Sequence, residues 1–259
     1  MKAVIVAAGM GRRLQPYTDE MPKCLVPVAG KPILVRQLEA FRAHGVDEIV
    51  IVRGYRADVL ERRKAELGPN VRFVENLDFR SNNILQSLFK AEAELSGPFF
   101  FTYADIVFEP GVVGELQAAP GDISLVVDRD FRSIYEGRTD HPLPEAEVCE
   151  LDGAGRVAAV GKRAVPVERA WGEFIGLARF TEAGARAMTD AWRALVTRYR
   201  DRDDAPFQRA PQFRVAYLTD LLQHLIDAGV PVSPVPIQGR WREIDTVQDL
   251  ERAQAAVRW

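Results

Sequence analysis

The sequence predicts an α/β fold, a Rossmann-like three-layer sandwich around a mostly parallel, mixed central sheet. Three observations predict it. Met1 to Ala8 is an apolar run broken only by Lys2, as for a strand buried on both faces. Strand-length apolar runs at 48–52 and 71–75 alternate with helical patterns, and β–α–β alternation implies parallel pairing with helical crossovers. Asp105 follows directly on the apolar run Pro98 to Tyr103, at the carboxyl end of a strand, where open α/β sheets bind ligands. The 259 residues suit one domain spanning 1–259. Polar, proline-marked stretches within 128–170 and 200–215 read as lid or acceptor-side insertions.

The elements follow in order. After the first strand comes Gly9-Met10-Gly11-Arg12-Arg13. A P-loop would need a Gly-Lys-Ser/Thr ending, which is absent. A dinucleotide fingerprint would need a third glycine where Leu14 stands and a helix opening from the turn. Pro16, Pro22, Pro27 and Pro32 oppose that helix, because proline removes a donor and clashes in a helix interior. What remains is a glycine loop and an extended basic segment whose peptide N–H groups, with Arg13 and Lys23, could surround a polyphosphate. The alternative is a surface loop with solvated cations.

Pro32 suits the first turn of a helix with Ile33, Leu34, Leu38 and Phe41 on one face and Gly45 as its stop. A polar helix is expected over Arg56 to Leu67. In Asn76 to Leu95, Ser81 or Asn82 can cap a helix striped by Ile84, Leu85, Leu88, Phe89 and Leu95. The amides of Asn82 and Asn83 could also pair with the edge of a pyrimidine. A further strand covers Ile123 to Asp128. Asp128 to Pro144 is a candidate lid or acceptor wall carrying Phe131, Tyr135, Arg138 and His141. His141 reads as a loop hydrogen-bonder, not a catalyst. Asp152-Gly153-Ala154-Gly155 is a hairpin turn between two strands, the second ending at Lys162. A strand over Glu173 to Phe180, a helix over Thr181 to Tyr199 and a helix over Ala216 to Ala228 follow. Arg200 to Phe213, charged and proline-interrupted, reads as a mobile insertion. Pro231, Pro234 and Pro236 put the strand Val230 to Ile237 at a sheet edge.

The bulk properties narrow the classes. An apolar fraction of 47% supports a sizeable core, and a formal net charge of −3 gives no global field to recruit nucleic acid or an anionic membrane. No apolar run of about 18 residues is present to span a bilayer. Cys24 and Cys149 are too few for a disulfide framework and point to a reducing cytoplasm. The three histidines and two cysteines show no zinc spacing.

Two stretches carry a resemblance. AAGMGRRLQPYTDEMPKCLVPVAGKPIL resembles the N-terminal signature of the sugar-phosphate nucleotidyltransferases, and WREIDTVQDL resembles their closing W-x-D-I-D-T-x-x-D-L element. Asn82-Asn83 followed by Ser87-Leu88 is similar to the branch that activates phosphocholine and related phosphates or phosphonates with CTP. The resemblance implies a GT-A-like nucleotidyltransferase fold that transfers CMP to such an acceptor and releases pyrophosphate. It implies that Ala7, Ala8, Gly9, Gly11, Asn82, Asn83, Ser87 and Tyr103 bind the nucleotide. Arg13 and Lys23 would neutralise the triphosphate, and Asp105 and Asp245 would hold Mg2+. The acceptor would meet Lys162, Glu173, Gly176, Tyr135, Arg138 and Trp241, with Phe131 and Trp171 as further aromatic candidates and Arg129 or Arg132 as further cations. Arg12 departs from the family's small residue. Only the lysine of its Glu-Lys-Pro remains at Lys162, and Glu243 replaces an Asp and is not assigned to metal. A phosphate nucleophile is already ionised at neutral pH, so no general base is required. A sugar-1-phosphate enzyme using UTP, GTP or dTTP is the alternative, and an inactive nucleotide-binding regulatory relative is another. The expected partners are CTP and a small phosphorylated or phosphonate acceptor, without nucleic acid or membrane; a homodimer is compatible with this reading.

Overall fold

The computed structural model describes residues 1–259. The first half runs β1 (Lys2–Ala7), the two-residue strands β2 (Pro27–Val28) and β3 (Lys31–Pro32), α1 (Ile33–Arg42), β4 (Glu48–Arg53), α2 (Ala57–Arg62), β5 (Val71–Glu75), α3 (Ile84–Phe89) and β6 (Phe99–Tyr103). The second half runs β7 (Ile106–Phe108), α4 (Pro110–Ala118), β8 (Ile123–Asp128), α5 (Phe131–Tyr135), β9 (Glu147–Leu151), β10 (Val157–Lys162), β11 (Gly172–Phe180), α6 (Glu182–Tyr199), α7 (Leu218–Asp227), β12 (Ser233–Ile237), β13 (Trp241–Glu243) and α8 (Val247–Ala256).

The apolar runs read from the sequence form the parallel half of a nine-stranded sheet, in the order β5-β4-β1-β6. β11 joins antiparallel to β6, β8 antiparallel to β11, and β12 parallel to β8. β12 pairs with β8 alone, so its prolines sit at an edge where missing donors cost no ladder bonds. β11 does most to shape the site. Its register with β8 shifts between Phe174 and Ala178, and Gly176 within that bulge has φ +85°. Gly172 and Glu173 of β11 pair with the β9–β10 hairpin, whereas Leu177 to Phe180 pair with β6. The sheet therefore parts between β9 and the carboxyl end of β6, and a cleft opens there.

Strand alternation supplies the layers. Ala3, Ile5 and Ala7 of β1 face one buried cluster, with Leu34, Leu38 and Phe41 of α1 and Val112, Val113 and Leu116 of α4. Val4 and Val6 face the other, with Leu85 and Leu88 of α3, Met188 and Trp192 of α6, and Leu221 and Leu222 of α7. A small third cluster joins Leu14, Val26, Val28 and Ile33 to Val107, Ile244 and Leu250, tying the proline-rich N-terminal segment to β7 and the closing element. No helix is long and apolar enough to cross a membrane.

Several local expectations change. The helix expected over 56–67 is α2 followed by a separate 3-10 turn, Lys64–Leu67. The helix after Asn76 is only α3, and its cap is Asn83, whose Oδ1 accepts from the Ile84 N–H at 2.9 Å. Residues 200–213, expected as a mobile insertion, pack Phe207, Ala210 and Phe213 into the buried core. Phe213 stacks on Tyr199 at 4.5 Å between ring centroids and on Trp192 at 5.5 Å, and Phe207 is also buried against them. Two aromatic anchors outweigh the charged composition around them. Within the expected lid, α5 buries Phe131 and Tyr135 in the core.

Candidate active site

The glycine loop is built to let Lys23 fold back over it. Gly11 has φ +60°, and a Cβ there would stand 3.1 Å from both Lys23 Cβ and Thr18 Cγ2. Thr18 Oγ1 donates to the Gly11 carbonyl at 2.9 Å. Arg12 to Leu14 form a single 3-10 turn, anchored by the fully buried Leu14. The long helix of a dinucleotide site is absent, as the prolines require.

Asp105 and Asp245 flank the same end of a two-stranded ribbon, Asp105 just before β7 and Asp245 shortly after β13. β7 and β13 pair antiparallel with Ile106 opposite Glu243, and the Ile244 N–H donates to the Asp105 carbonyl at 2.8 Å. The two carboxylates are thereby held near each other, and Lys23 stands between them. Its Nζ is 2.8 Å from Asp105 Oδ2 and also pairs with Asp245 Oδ1. Arg13 pairs with the other Asp245 oxygen, and His141 Nδ1 lies 2.9 Å from that same atom. Burial alone would push the Lys23 ammonium down, but the two carboxylates outweigh it and hold it above its ordinary value. Burial opposes the Asp245 charge too, yet Lys23, His141 and Arg13 hold its carboxyl well below the usual range. Asp105 Oδ1 is buried without a hydrogen-bond partner. Two aspartates from separate segments, one with a spare buried oxygen, fit a hard divalent cation that binds through oxygen.

The residues behind Asp245 stiffen it. Thr246 caps α8 in a capping box with Asp249, whose Oδ2 also accepts from the Asp245 N–H at 3.1 Å. Arg138 Nε donates to Asp249 Oδ1 at 2.6 Å and its Nη2 to Glu243 Oε2 at 2.8 Å. With its side chain almost fully buried, Arg138 braces the site from behind and is not among the residues lining the cleft, where the sequence reading put it among the acceptor contacts. It neutralises two carboxylates that burial would otherwise leave unpaired.

The opposite wall is acidic. Glu147 accepts from Tyr103 Oη at 3.0 Å and Thr219 Oγ1 at 3.1 Å, and burial pushes its carboxyl up to about 7. Lys162 Nζ pairs with Glu145 at 3.0 Å and lies 5.1 Å over the Tyr217 ring. Glu173 Oε1 accepts from Tyr135 Oη at 2.7 Å, while Oε2 is buried and unpartnered. Burial, then the neighbouring Glu243 charge, push Glu173 well above the usual carboxylate range. Burial, then Asp245, likewise push Glu243 up.

The cleft, with a cavity of about 360 Å³, is lined by the predicted Ala7, Gly9, Gly11, Arg13, Lys23, Asn83, Tyr103, Asp105, Lys162, Glu173, Trp241 and Asp245. Trp241 is largely buried and donates to Asp128 Oδ2 at 2.8 Å. The other predicted residues stand behind the lining. Ala8 presents its carbonyl to the Tyr55 N–H at 3.0 Å. Asn82 is locked to Asn76 in both directions, at 2.9 and 3.1 Å, and Asn76 also donates to Ser87 Oγ at 2.8 Å. Tyr135 reaches the cleft only through Glu173. Gly176 makes room for Tyr103: a Cβ would stand 2.2 Å from Tyr103 Cδ2, so the tyrosine ring covers it. Sequence reasoning missed Glu145, Glu147 and Tyr217, set aside Glu243, and gave His141 no site role. The sequence carried no distinct signal for them: Glu147 opens β9, EVCEL, whose second glutamate, Glu150, is partly exposed.

Fold and site together define a nucleoside triphosphate-using transferase. The MobA-like NTP transferase domain matches residues 3–230, and the chain belongs to that family of nucleotidyltransferases. Asp245 lies beyond the matched span, but full-length relatives cover it. The chain is 31% identical over 257 residues to the CTP:phosphoglutamine cytidylyltransferase of Campylobacter jejuni subsp. jejuni, covering 97% of this chain and 98% of that protein. It is 27% identical over 256 residues to the 2-aminoethylphosphonate cytidylyltransferase of Lancefieldella rimae, covering 96% and 89%. The solved CTP:phosphocholine cytidylyltransferase of Streptococcus pneumoniae superposes with a TM-score of 0.71 at 21% identity over 98% of this chain and 97% of that one, a likeness of fold.

Proposed function

We propose that this chain transfers CMP from CTP to a small phosphomonoester or phosphonate and releases pyrophosphate. The observation that carries the reading is the meeting of Arg13, Lys23, Asp105 and Asp245 at one point of the cleft. Relatives that use CTP on phosphorylated or phosphonate compounds support the choice of nucleotide and acceptor class.

In the reaction an ionised acceptor oxygen attacks the α-phosphorus of CTP. The bond from that phosphorus to the bridging oxygen breaks, and pyrophosphate leaves with the electron pair. No proton need be removed. The difficulty is electrostatic, because anion meets polyanion in a partly dry cleft. Arg13 and Lys23 are the cations on the triphosphate side, and Gly9 and Gly11 border the same space. Lys162, on the opposite wall, faces the acceptor anion. Asn83, fixed by Ile84 and by a 3.3 Å bond to the Val215 carbonyl, stands at the nucleotide side with its orientation set. The unpartnered Glu173 oxygen suits an acceptor hydroxyl or ammonium. Mg2+ held by Asp105 and Asp245 would supply fixed positive charge against the phosphate oxygens.

A pyrophosphate-release matrix tests the reading: four nucleoside triphosphates against phosphocholine, aminoethylphosphonate, inositol phosphate and hexose 1-phosphates, with Mg2+. Release with CTP and a phosphorylated or phosphonate compound is the expected result. Release confined to UTP, GTP or dTTP with hexose 1-phosphates would move the chain to the sugar branch. Silence across the matrix with intact CTP binding would make it a nucleotide-binding relative without turnover.

A further inference from the structure

Four lysine and arginine side chains line the cleft: Arg12, Arg13, Lys23 and Lys162. Three of them are engaged with carboxylates, Arg13 with Asp245, Lys23 with Asp105 and Asp245, and Lys162 with Glu145. Arg12 pairs with no carboxylate. Its Nη2 donates instead to Met10 Sδ at 3.6 Å, across the crown of the glycine loop. A thioether is a weak acceptor, and it leaves the rest of the guanidinium fork unused. An unpaired arginine on the wall of a cleft whose other lysine and arginine side chains are all paired is the side chain placed to receive an anion.

The turn fixes where Arg12 stands. Arg12 to Leu14 form one 3-10 turn, and with three residues to the turn successive side chains leave about 120° apart. Leu14 points into the core, and its N–H donates to the Gly11 carbonyl at 2.9 Å. Arg13 reaches Asp245. Arg12 takes the remaining direction, out to the rim of the cleft, where it is exposed. Arg13 and Lys23 are two cations set against two carboxylates, Asp105 and Asp245, so that inner cluster carries no surplus positive charge of its own. Arg12 carries the surplus. The nucleotidyltransferase signature has a small residue at this position, so the cation is an addition of this chain.

We propose that Arg12 is a third triphosphate cation, whose guanidinium leaves Met10 and forks onto the two outer phosphates of the nucleotide, the pair that departs as pyrophosphate. This role rests on the proposed reaction, which sets the direction of the nucleotide. With the reacting α-phosphorus at the inner cluster of Lys23, Asp105 and Asp245, the outer phosphates extend along the glycine loop toward the rim that Arg12 occupies. As the acceptor oxygen bonds to the α-phosphorus, the bond to the bridging oxygen breaks and its electron pair goes to pyrophosphate. Negative charge therefore grows on the group that Arg12 holds, and a planar fork meets phosphate oxygens two at a time.

Binding of CTP, CMP and inorganic pyrophosphate, measured by titration calorimetry with Mg2+ and without acceptor, tests the role in wild type, Arg12→Ser and Arg12→Lys. The Arg12 side chain packs no core, so both variants should melt with wild type. Arg12→Ser should weaken CTP and pyrophosphate about 10-fold or more, the scale of losing charged hydrogen bonds, and leave CMP within about two-fold. Arg12→Lys, which keeps the charge without the fork, should fall between. Unchanged CTP or pyrophosphate affinity in Arg12→Ser overturns the proposal. A CMP loss equal to the CTP loss overturns it too, because it would place Arg12 at the nucleoside or in the fold. The other three nucleoside triphosphates and their monophosphates are run alongside, so a chain that prefers another base still answers for Arg12. A chain that shows the Arg12 effect but transfers nothing would sink only the proposed reaction, and a wild type that binds no triphosphate would sink both.

Discussion

Glu147→Gln should abolish a pH dependence built into the cleft wall. The Glu147 carboxyl lies 7% exposed, and burial lifts it from 4.5 to about 7. In the unfolded chain it ionises near 4.5, while the folded chain keeps its proton until about 7. Folding therefore takes up a proton between those values. The stability Glu147 contributes is full below pH 4.5 and is lost as pH rises through about 7. At about 1.4 kcal/mol for each pH unit between the two values, the loss is about 3 kcal/mol. Gln has nearly the same shape, and its carbonyl oxygen can still accept from Thr219 or Tyr103, but it never ionises. The assay is urea unfolding of both chains from pH 4.5 to 8.5. Carboxylates remote from Glu147 titrate alike in both chains and cancel in the difference, which leaves Glu147 and the groups coupled to it, Glu243 and Lys162. The stability of Glu147→Gln relative to wild type should rise by about 3 kcal/mol across this range, mostly between pH 5 and 7.5. A flat difference would refute the reasoning, because it would mean that Glu147 ionises as easily inside the cleft as in water.

Lys23→Ala removes the shared counter-ion of Asp105 and Asp245 and should destabilise the chain by about 3–5 kcal/mol. Millimolar Mg2+ should raise its melting temperature more than that of wild type, and equal shifts would deny that Lys23 and a dication share a place. Gly176→Ala must displace the Tyr103 ring at a positive φ, so a loss of about 2–5 kcal/mol in urea unfolding and a weakened Tyr103–Glu147 bond are expected; an unchanged midpoint would contradict the close approach. Asn83→Ala should cost about 1 kcal/mol as a lost cap and relax the preference for CTP over UTP in competition assays. An unaltered preference would leave Asn83 a cap and nothing more.

Much of the frame was legible because it rests on local chemistry. The apolar runs gave the parallel strands, Asp152 to Gly155 gave the β9–β10 turn, and the prolines gave both the unhelical loop after Gly11 and the edge position of β12. The resemblance pointed to Asp105, Asp245 and Lys23, which the ribbon β7–β13 brings together. What was not legible depends on partners distant in sequence. Arg138 looked like an acceptor cation until Asp249 and Glu243 claimed it across the fold. Gly176 looked like a ligand contact, because nothing local shows that the Tyr103 ring lies on it. His141 looked like a loop residue, because its carboxylates lie some hundred positions on. The charged stretch after Tyr199 looked loose because composition averages over Phe207 and Phe213, the two residues that anchor it. Asn82 and Ser87 fell on the motif but face Asn76, so a local pattern carried their neighbourhood and not their direction.

The central claim is that chemistry occurs where Lys23 meets Asp105 and Asp245. Single-turnover pyrophosphate release by Asp105→Asn, with CTP and the best acceptor under saturating Mg2+, measures it most directly, alongside CTP binding to the same variant. The account predicts CTP affinity within a few-fold of wild type and transfer slowed by about 100-fold or more, the scale of losing one major electrostatic support of a charged transition state. Transfer at the wild-type rate in a folded Asp105→Asn would contradict it.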